Sequence, residues 1–191
     1  MSTKKTFTRE DIVEAAFRLV RKHGKKKLSA REIAKELKSS TMPIYSSVNS
    51  MKELEVEVRQ KFTELFLQYA TAAWTGDPQI DPSFGYIQFA KDERQLFRIM
   101  FFDDTEDEVA TYKEYKQLVT EILEKQLEKP SEFRALNQEQ QQRIREKMEI
   151  FIHGLACLIN SERFDGEREE YIINLLHEVN TLFFQHEKAM E

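Results

Sequence analysis

The chain of 191 residues has few of the features that hold together a secreted protein or anchor a membrane protein. Its one cysteine, Cys157, excludes an intrachain disulfide and favours a reducing compartment. The longest unbroken apolar run has five residues, 155–159, whereas a membrane-spanning helix needs about 20. The first residues, MSTKKTFTRED, contain no apolar stretch, so we expect no cleaved signal peptide. We therefore expect a cytoplasmic protein without a membrane partner.

Glycine and proline are also scarce, with five and four residues respectively. The glycines lie too far apart to form a Gly-rich phosphate-binding loop, which argues against the common nucleotide-binding enzyme folds. Charged residues make up 33% of the chain, a composition that favours long helices with a solvated side over a sheet with many turns. The composition therefore predicts an all-α fold.

The net charge of −5 is unevenly distributed. Residues 1–54 contain thirteen lysines and arginines against six acidic residues, a net charge of +7. Residues 55–191 contain the other sixteen basic and twenty-eight acidic residues, a net charge of −12. A basic segment joined to an acidic one is typical of a nucleic-acid module attached to a region that does not touch nucleic acid.

Capping residues mark where the helices of the basic segment begin. Thr8 and Asp11 form a capping box at the start of an amphipathic helix that runs to His23. Gly24 follows this helix, and we expect it to end the helix in the left-handed αL conformation.

Three further helix starts follow before residue 55. Ser29 and Glu32 form a second capping box, and Ser50 and Glu53 form another. Between them, a cap is supplied by Ser39, Ser40 and Thr41. Pro43 falls in the first turn of this third helix, where backbone N–H groups have no intrahelical partner.

The rest of the chain predicts longer helices. The helix after Ser50 continues to about Trp74, and a loop covers 75–83. Further helices are predicted over about 83–91, 93–102, 105–128 and 138–161, with a last one after a turn at 164–166. The last two have wide apolar faces and a short connection, so we expect them to be antiparallel neighbours, giving about nine helices in all.

Three short helices in a basic segment, with a short turn between the second and third, follow the helix-turn-helix plan. The stretches EDIVEAAFRLVRKHG, LSAREIAKEL and IYSSVNSMKEL carry a more specific pattern. Through them, residues 8–54 resemble the DNA-binding domain of the TetR family of transcriptional regulators. The matching positions of the last stretch are Ile44, Tyr45, Ser50 and Leu54. The departures are Lys38 and Ser39 in place of Gly-Val, Ser47 in place of His, Val48 in place of Phe, and Met51 in place of Lys.

The resemblance implies two domains, a DNA-binding domain over 1–54 and a helical ligand-binding and dimerisation domain over 55–191. The helix with Tyr45 would enter the major groove of double-stranded DNA. The expected DNA-binding residues are Thr8, Ser29, Arg31, Ser40, Thr41, Met42, Pro43, Tyr45, Ser46 and Lys52. Two alternatives stay open here, because Tyr45 could pack within the small domain and Arg31 could be a solvated surface residue.

The resemblance also implies a homodimer in which the last two helices pair with those of a second copy. The expected interface residues are Phe151, Ile152, Leu155, Ile159, Ile172, Leu175, Leu176, Val179 and Phe183. Two-fold symmetry would set the recognition helices about 34–36 Å apart on a palindromic operator.

Aromatic residues are abundant in the acidic region and suggest a pocket for a small apolar or aromatic effector. The residues expected to line it are Phe62, Phe66, Tyr69, Phe89, Phe97, Met100, Phe101, Tyr112, Tyr115 and Phe151. The alternative is that they are ordinary core residues.

Other patterns give weaker functional hypotheses. His153 and Cys157 lie one helical turn apart, a spacing compatible with a metal or thiol sensor, but their neighbours are apolar and a structural pair is the simpler reading. The acidic run 103–108 fits a helix start without an ion. We predict no metal, no cofactor and no enzymatic activity.

The sequence thus predicts a homodimeric regulator of transcription, a repressor released from its operator by a small-molecule effector. The alternative is a helical module of the same fold that binds a protein partner without operator recognition. The departures at Lys38, Ser39, Ser47 and Met51 keep that alternative open. An enzyme that uses His153, Cys157 or the acidic run has the least support.

Overall fold

The computed structural model describes residues 7–102, 117, 121, 131–164 and 168–190. These residues contain no strand, and they form nine α-helices and one short 3-10 helix, Lys25–Lys27. The α-helices are α1 Arg9–His23, α2 Ala30–Glu36, α3 Met42–Ser47, α4 Met51–Thr71, α5 Asp81–Asp92, α6 Arg94–Phe102, α7 Ser131–Ala135, α8 Gln138–Asn160 and α9 Glu169–Lys188. The predicted all-α fold and helix number are confirmed. Of the helix predicted over 105–128, the structure describes only residues 117 and 121, and both are helical.

The chain forms two compact units, and each consists of two chain segments. The first unit contains residues 1–65 and 95–110, and the second contains 66–94 and 111–191. The first unit therefore extends beyond the domain end expected at residue 54, because it includes more of α4 and also α6. A Cβ atom at Gly24 would lie 3.4 Å from the Gln95 Oε1 atom, so the start of α6 lies against the loop that follows α1.

The core of the first unit is made by the apolar faces of α1 to α4 and α6. The residues with the least exposure are Ile12, Ala15, Ala16, Ile33, Ile44, Leu54, Leu96 and Phe97, each at 1% or less. Alanines in this set allow neighbouring helix backbones to approach closely, and each large side chain removed from water contributes about 1.5–3 kcal/mol.

The ends of α1 show one confirmed and one corrected prediction. The Thr8 hydroxyl accepts a hydrogen bond from the Asp11 N–H at 3.1 Å, and the Asp11 carboxylate accepts one from the Thr8 N–H at 2.8 Å, which confirms the capping box. Gly24 has φ +79° as expected for a helix stop, but its ψ of 168° lies outside the αL region. It occupies an extended, positive-φ conformation that is essentially restricted to glycine.

In the second unit, α8 packs against both α5 and α9. The Gln140 side-chain amide near the start of α8 donates to the Glu187 carbonyl near the end of α9 at 3.0 Å, so the two helices are antiparallel as predicted. At the other end of α8, the buried Asn160 amide donates to the Ala90 carbonyl of α5 at 2.9 Å. These bonds satisfy carbonyl groups in the last turns of α9 and α5.

Two glycines lie inside the helices of this unit in contrasting surroundings. A Cβ atom on Gly85 would lie 2.0 Å from the Tyr69 carbonyl oxygen and 2.7 Å from the Trp74 indole nitrogen. Gly85 therefore permits the close approach of α5 to the end of α4. A Cβ on Gly154 of α8 would meet no described atom within 4 Å, so none of the described residues needs a glycine at this position for close packing.

Candidate nucleic-acid interface

The short helix α3 holds one apolar side chain inward and two large side chains outward. Ile44 is 1% exposed, whereas Met42 is 66% and Tyr45 is 68% exposed. Ser46 is also exposed, and its hydroxyl donates to the Pro43 carbonyl at 2.9 Å. The structure therefore does not support the alternative that Tyr45 packs in the core of the small domain.

The turn that leads from α2 to α3 depends on a left-handed lysine. Lys38 has φ +52°, the Lys38 N–H donates to the Lys35 carbonyl, and the Ser39 N–H donates to the Ala34 carbonyl. These two bonds form a Schellman motif, whose αL position glycine usually occupies. Lys38 therefore replaces the expected glycine with the same backbone geometry, at the energetic cost of a left-handed side-chain-bearing residue.

The predicted DNA-binding residues all belong to the first unit. Seven are exposed, namely Thr8, Arg31, Ser40, Met42, Tyr45, Ser46 and Lys52. Three are half-buried, namely Ser29, Thr41 and Pro43. Thr8 is the N-cap of α1 and Ser29 is the N-cap of α2, where its hydroxyl accepts from the Glu32 N–H at 3.3 Å. Helix N-termini of this kind present backbone N–H groups that suit phosphate oxygens.

Positive charge on this unit is divided between exposed groups and groups used internally. Exposed cations near the two helices of the motif are Lys26, Lys27, Arg31, Lys35, Lys38 and Lys52. Lys61, in contrast, pairs with Glu14 at 2.5 Å, and Arg9 pairs with Glu53 and Glu57. Exposed cations are the kind of group that attracts the phosphate backbone of nucleic acids in general.

Arg9 is the residue of this region that sequence reasoning missed. Its guanidinium joins α1 to the Ser47 carbonyl of α3 and to two carboxylates of α4. The available signal was the four-residue spacing of Glu53 and Glu57, which places both acids on one side of α4.

The aromatic residues expected to line a pocket divide between the two units. Phe62, Phe97, Met100 and Phe101 belong to the first, and Phe66, Tyr69, Phe89 and Phe151 belong to the second. Tyr112 and Tyr115 lie outside the described residues. In the second unit, the Phe89 ring lies 4.8 Å from that of Phe66 and 5.5 Å from that of Tyr69, in edge-to-face contact. Such packing is typical of a core, and the effector pocket stays a prediction.

His153 and Cys157 of α8 form a short hydrogen-bonded chain with Tyr86 of α5. The His153 Nδ1 atom lies 2.9 Å from the Tyr86 hydroxyl, and its Nε2 atom lies 3.5 Å from the Cys157 sulfur. Burial lowers the pKa of His153 and raises the pKa of the Cys157 thiol. Both directions favour a neutral pair at pH 7, which is the structural reading of this spacing.

The expected dimer-interface residues do not all face outward. Leu155, Ile159, Ile172 and Leu176 are at most 5% exposed within a single chain, so their side chains have no surface to offer a second copy. Their part in a dimer interface stays a prediction, and their burial against their own unit was not evident from periodicity alone. Phe151, Ile152, Leu175, Val179 and Phe183 are half-buried.

Other residues form the exposed apolar surface of α8 and α9. Ile150 is 74%, Leu158 is 45%, Tyr171 is 48% and Leu182 is 60% exposed. Ile150 and Leu158 flank Gly154 at four-residue steps, so the three positions form one ridge along α8. We call Ile150, Gly154, Leu158, Tyr171 and Leu182 the outer apolar surface.

No protein-family model, curated protein or solved structure matches the chain. No helix among the described residues is long and apolar enough to cross a membrane. Within the same residues, no group of three or more His, Cys, Asp or Glu side chains is placed to hold a metal ion.

Proposed function

We propose that the chain is a DNA-binding transcriptional regulator, a homodimeric repressor that a small-molecule effector releases from a palindromic operator. The first unit reads DNA with α3, and the second unit contributes to dimerisation. The effector part of the proposal rests on the family resemblance and on the abundance of aromatic residues.

The observation that carries the DNA-binding proposal is the outward exposure of Met42 and Tyr45 on α3. A helix six residues long gains no stability from large apolar side chains that remain in water. Such side chains suit contacts with thymine methyl groups and base edges, and the neighbouring hydroxyl groups and cations suit phosphates. Arg31 and Lys52 lie on the helices before and after α3 in the chain and supply such cations.

The outer apolar surface supports the homodimer. Four large apolar or aromatic side chains on two antiparallel helices remain between 45% and 74% exposed in one chain. Burying them against the same surface of a second copy would form a four-helix contact related by two-fold symmetry.

A random-sequence selection with the purified chain tests the DNA-binding proposal. We expect enrichment of a palindromic sequence whose duplex binds at least about 10³-fold more tightly than a shuffled duplex. Fluorescence anisotropy at two salt concentrations should show that affinity falls as salt rises. The logarithm of the binding constant should fall by about 0.9 per unit of log salt concentration for each phosphate contact. If no sequence is enriched, the proposed function is wrong and a protein partner becomes the better explanation of the exposed α3 residues.

Two tyrosine variants locate the binding surface. Tyr45→Ala should reduce affinity for the selected duplex at least tenfold, because it removes the one aromatic side chain of α3, which is 68% exposed. Tyr171→Ala is the matched control, since Tyr171 is 48% exposed but lies on α9. Equal losses in both variants would place recognition somewhere other than α3.

A further inference from the structure

The Arg9 side chain connects three helices through four of its five N–H donors. Its Nε donates to the Glu57 carboxylate at 3.1 and 3.2 Å, and one Nη atom donates to the same carboxylate at 2.6 Å. That Nη atom also donates to Glu53, and the other Nη donates to the Ser47 carbonyl at 3.1 Å. A planar guanidinium can reach several acceptors in fixed directions at once.

The two carboxylates that receive Arg9 lie one turn apart on α4. Two acids at this spacing would repel each other without a cation between them. The hydrogen bond from Arg9 is the main cause that lowers the pKa of Glu53, which favours the ionised form of this carboxylate. α1 is therefore held to α4 through Arg9 at the point where α3 ends.

α3 has few other attachments. It is six residues long, and Ile44 is its only buried side chain, with Val48 buried just after it. A helix this short has no stability in isolation, so its direction is set by the groups that hold it. One of these is the bond from Arg9 to the Ser47 carbonyl, an acceptor at the helix end that no intrahelical N–H satisfies.

We propose that Arg9 is a positioning residue for α3 and that sequence discrimination in DNA depends on it although it is not itself a base-contacting residue. This inference rests on the proposed function. Arg9 fixes the angle at which Met42 and Tyr45 leave the first unit, and a change of that angle by a few degrees moves side-chain atoms relative to base edges. General attraction to phosphates does not need that angle and persists without it.

Arg9→Gln tests the inference, with Lys61→Gln as its matched control. Lys61 forms the other described ion pair between α1 and α4, with Glu14, and each variant removes one positive charge. Lys61 does not contact α3 in any described bond. Hydrogen exchange of the amides of residues 44–48 should accelerate at least tenfold in Arg9→Gln and stay near wild type in Lys61→Gln.

DNA binding gives the second measurement. We expect the preference for the selected duplex over a shuffled duplex to fall at least tenfold in Arg9→Gln, while affinity for the shuffled duplex falls equally in both variants. Identical exchange and identical preference in the two variants would overturn the role of Arg9. If Arg9→Gln fails to fold, Arg9→Lys keeps the charge but lacks the planar fork, and it should show a partial loss of preference where Lys61→Arg shows none.

The two proposals fail in distinguishable ways. A wild-type chain without any sequence preference would contradict the proposed function, and accelerated exchange in α3 would then still establish that Arg9 positions this helix. A wild-type chain with a clear preference that survives Arg9→Gln would support the proposed function and contradict the inference.

Discussion

The left-handed backbone conformation of Lys38 costs free energy, and its side chain is exposed. Its left-handed conformation is required by the two hydrogen bonds that end α2. We expect Lys38→Gly to raise the free energy of unfolding by about 0.5–1 kcal/mol. Removing the Cβ relieves the steric strain of the left-handed conformation, and this gain exceeds the cost of the larger conformational entropy that glycine gives the unfolded chain. Urea denaturation followed by circular dichroism measures the change.

Lys38→Ala is the control for this prediction, because alanine keeps the Cβ and removes only the charge and the long side chain. We expect no gain in stability from it. An equal gain in both variants would show that the charge of Lys38, and not its backbone conformation, is what destabilises the turn.

His153 makes stability depend on pH in a predictable direction. Burial lowers the pKa of His153 in the folded state below its usual 6.5, so the unfolded chain binds a proton at this residue first. The wild type should therefore lose stability as pH falls below about 6.5, in addition to any loss from other groups. In thermal melts, the Tm of His153→Gln should fall less between pH 7 and pH 5 than the Tm of the wild type. The same change of Tm with pH in both proteins would contradict the prediction.

Helices α5 and α8 each contain an internal glycine, and the two should respond oppositely to alanine. Gly85→Ala should destabilise by roughly 1–3 kcal/mol or more, because the new Cβ would overlap the Tyr69 carbonyl and the indole ring that lies beside it. Gly154→Ala should stabilise the monomer by about 0.5–1 kcal/mol, since it improves helix propensity in open space. Thermal melts of both variants at low protein concentration test the difference in sign.

The pairing of α8 with α9 depends on a buried carboxylate. Glu187 is fully buried at the end of α9, where a negative charge opposes the helix dipole. Arg143 and Lys147 of α8 compensate it at 2.8 and 2.5 Å, and their hydrogen bonds lower the pKa of Glu187. Glu187→Gln should lower Tm, because two cations lose their shared anion.

Glu139→Gln is the control, since Glu139 pairs with the same Arg143 but is 83% exposed in its side chain. It should leave Tm nearly unchanged, as expected for a surface pair. The advantage of wild type over Glu187→Gln should be present above about pH 4.5 and disappear as pH falls further, because the lowered pKa delays protonation in the folded state. A difference in Tm that does not vary with pH would contradict the charge-based explanation.

At the level of the whole molecule, the proposed homodimer predicts which surface controls association. Leu158→Glu places a charge on the outer apolar surface and should convert a dimer to a monomer in sedimentation velocity. Val56→Glu is the control, because Val56 is 56% exposed but belongs to α4. A wild-type chain that sediments as a monomer at micromolar concentration would contradict the homodimer.

The sequence predicted helices well where a cap and a periodic apolar face coincided. The box of Thr8 and Asp11 placed the start of α1, and the wide stripes of α8 and α9 indicated an antiparallel pair. The backbone angles at a helix end were predicted only in part. The positive φ of Gly24 was predictable from its place after a helix, whereas its ψ was not.

Like the helices, the candidate site could be predicted from the sequence only in part. The motif around Tyr45 indicated which short helix faces outward, and the structure describes that exposure. The contacts of Arg9 could not be predicted without the fold, because its partners lie 38 to 48 residues away in the chain. The faces of α8 and α9 also needed the fold, since both sides of each helix carry apolar residues, and the burial of the described residues shows which side is covered.

The discontinuity of the first unit has a consequence for how the protein is made. Its first segment ends at residue 65, but its second segment begins only at residue 95. At a synthesis rate of about 5–20 residues per second, the first segment leaves the ribosome several seconds before α6 does. Residues 1–54 transferred alone to another protein would lack Leu96 and Phe97, which are buried in the first unit. The unit can therefore be transferred only if both of its segments are moved together.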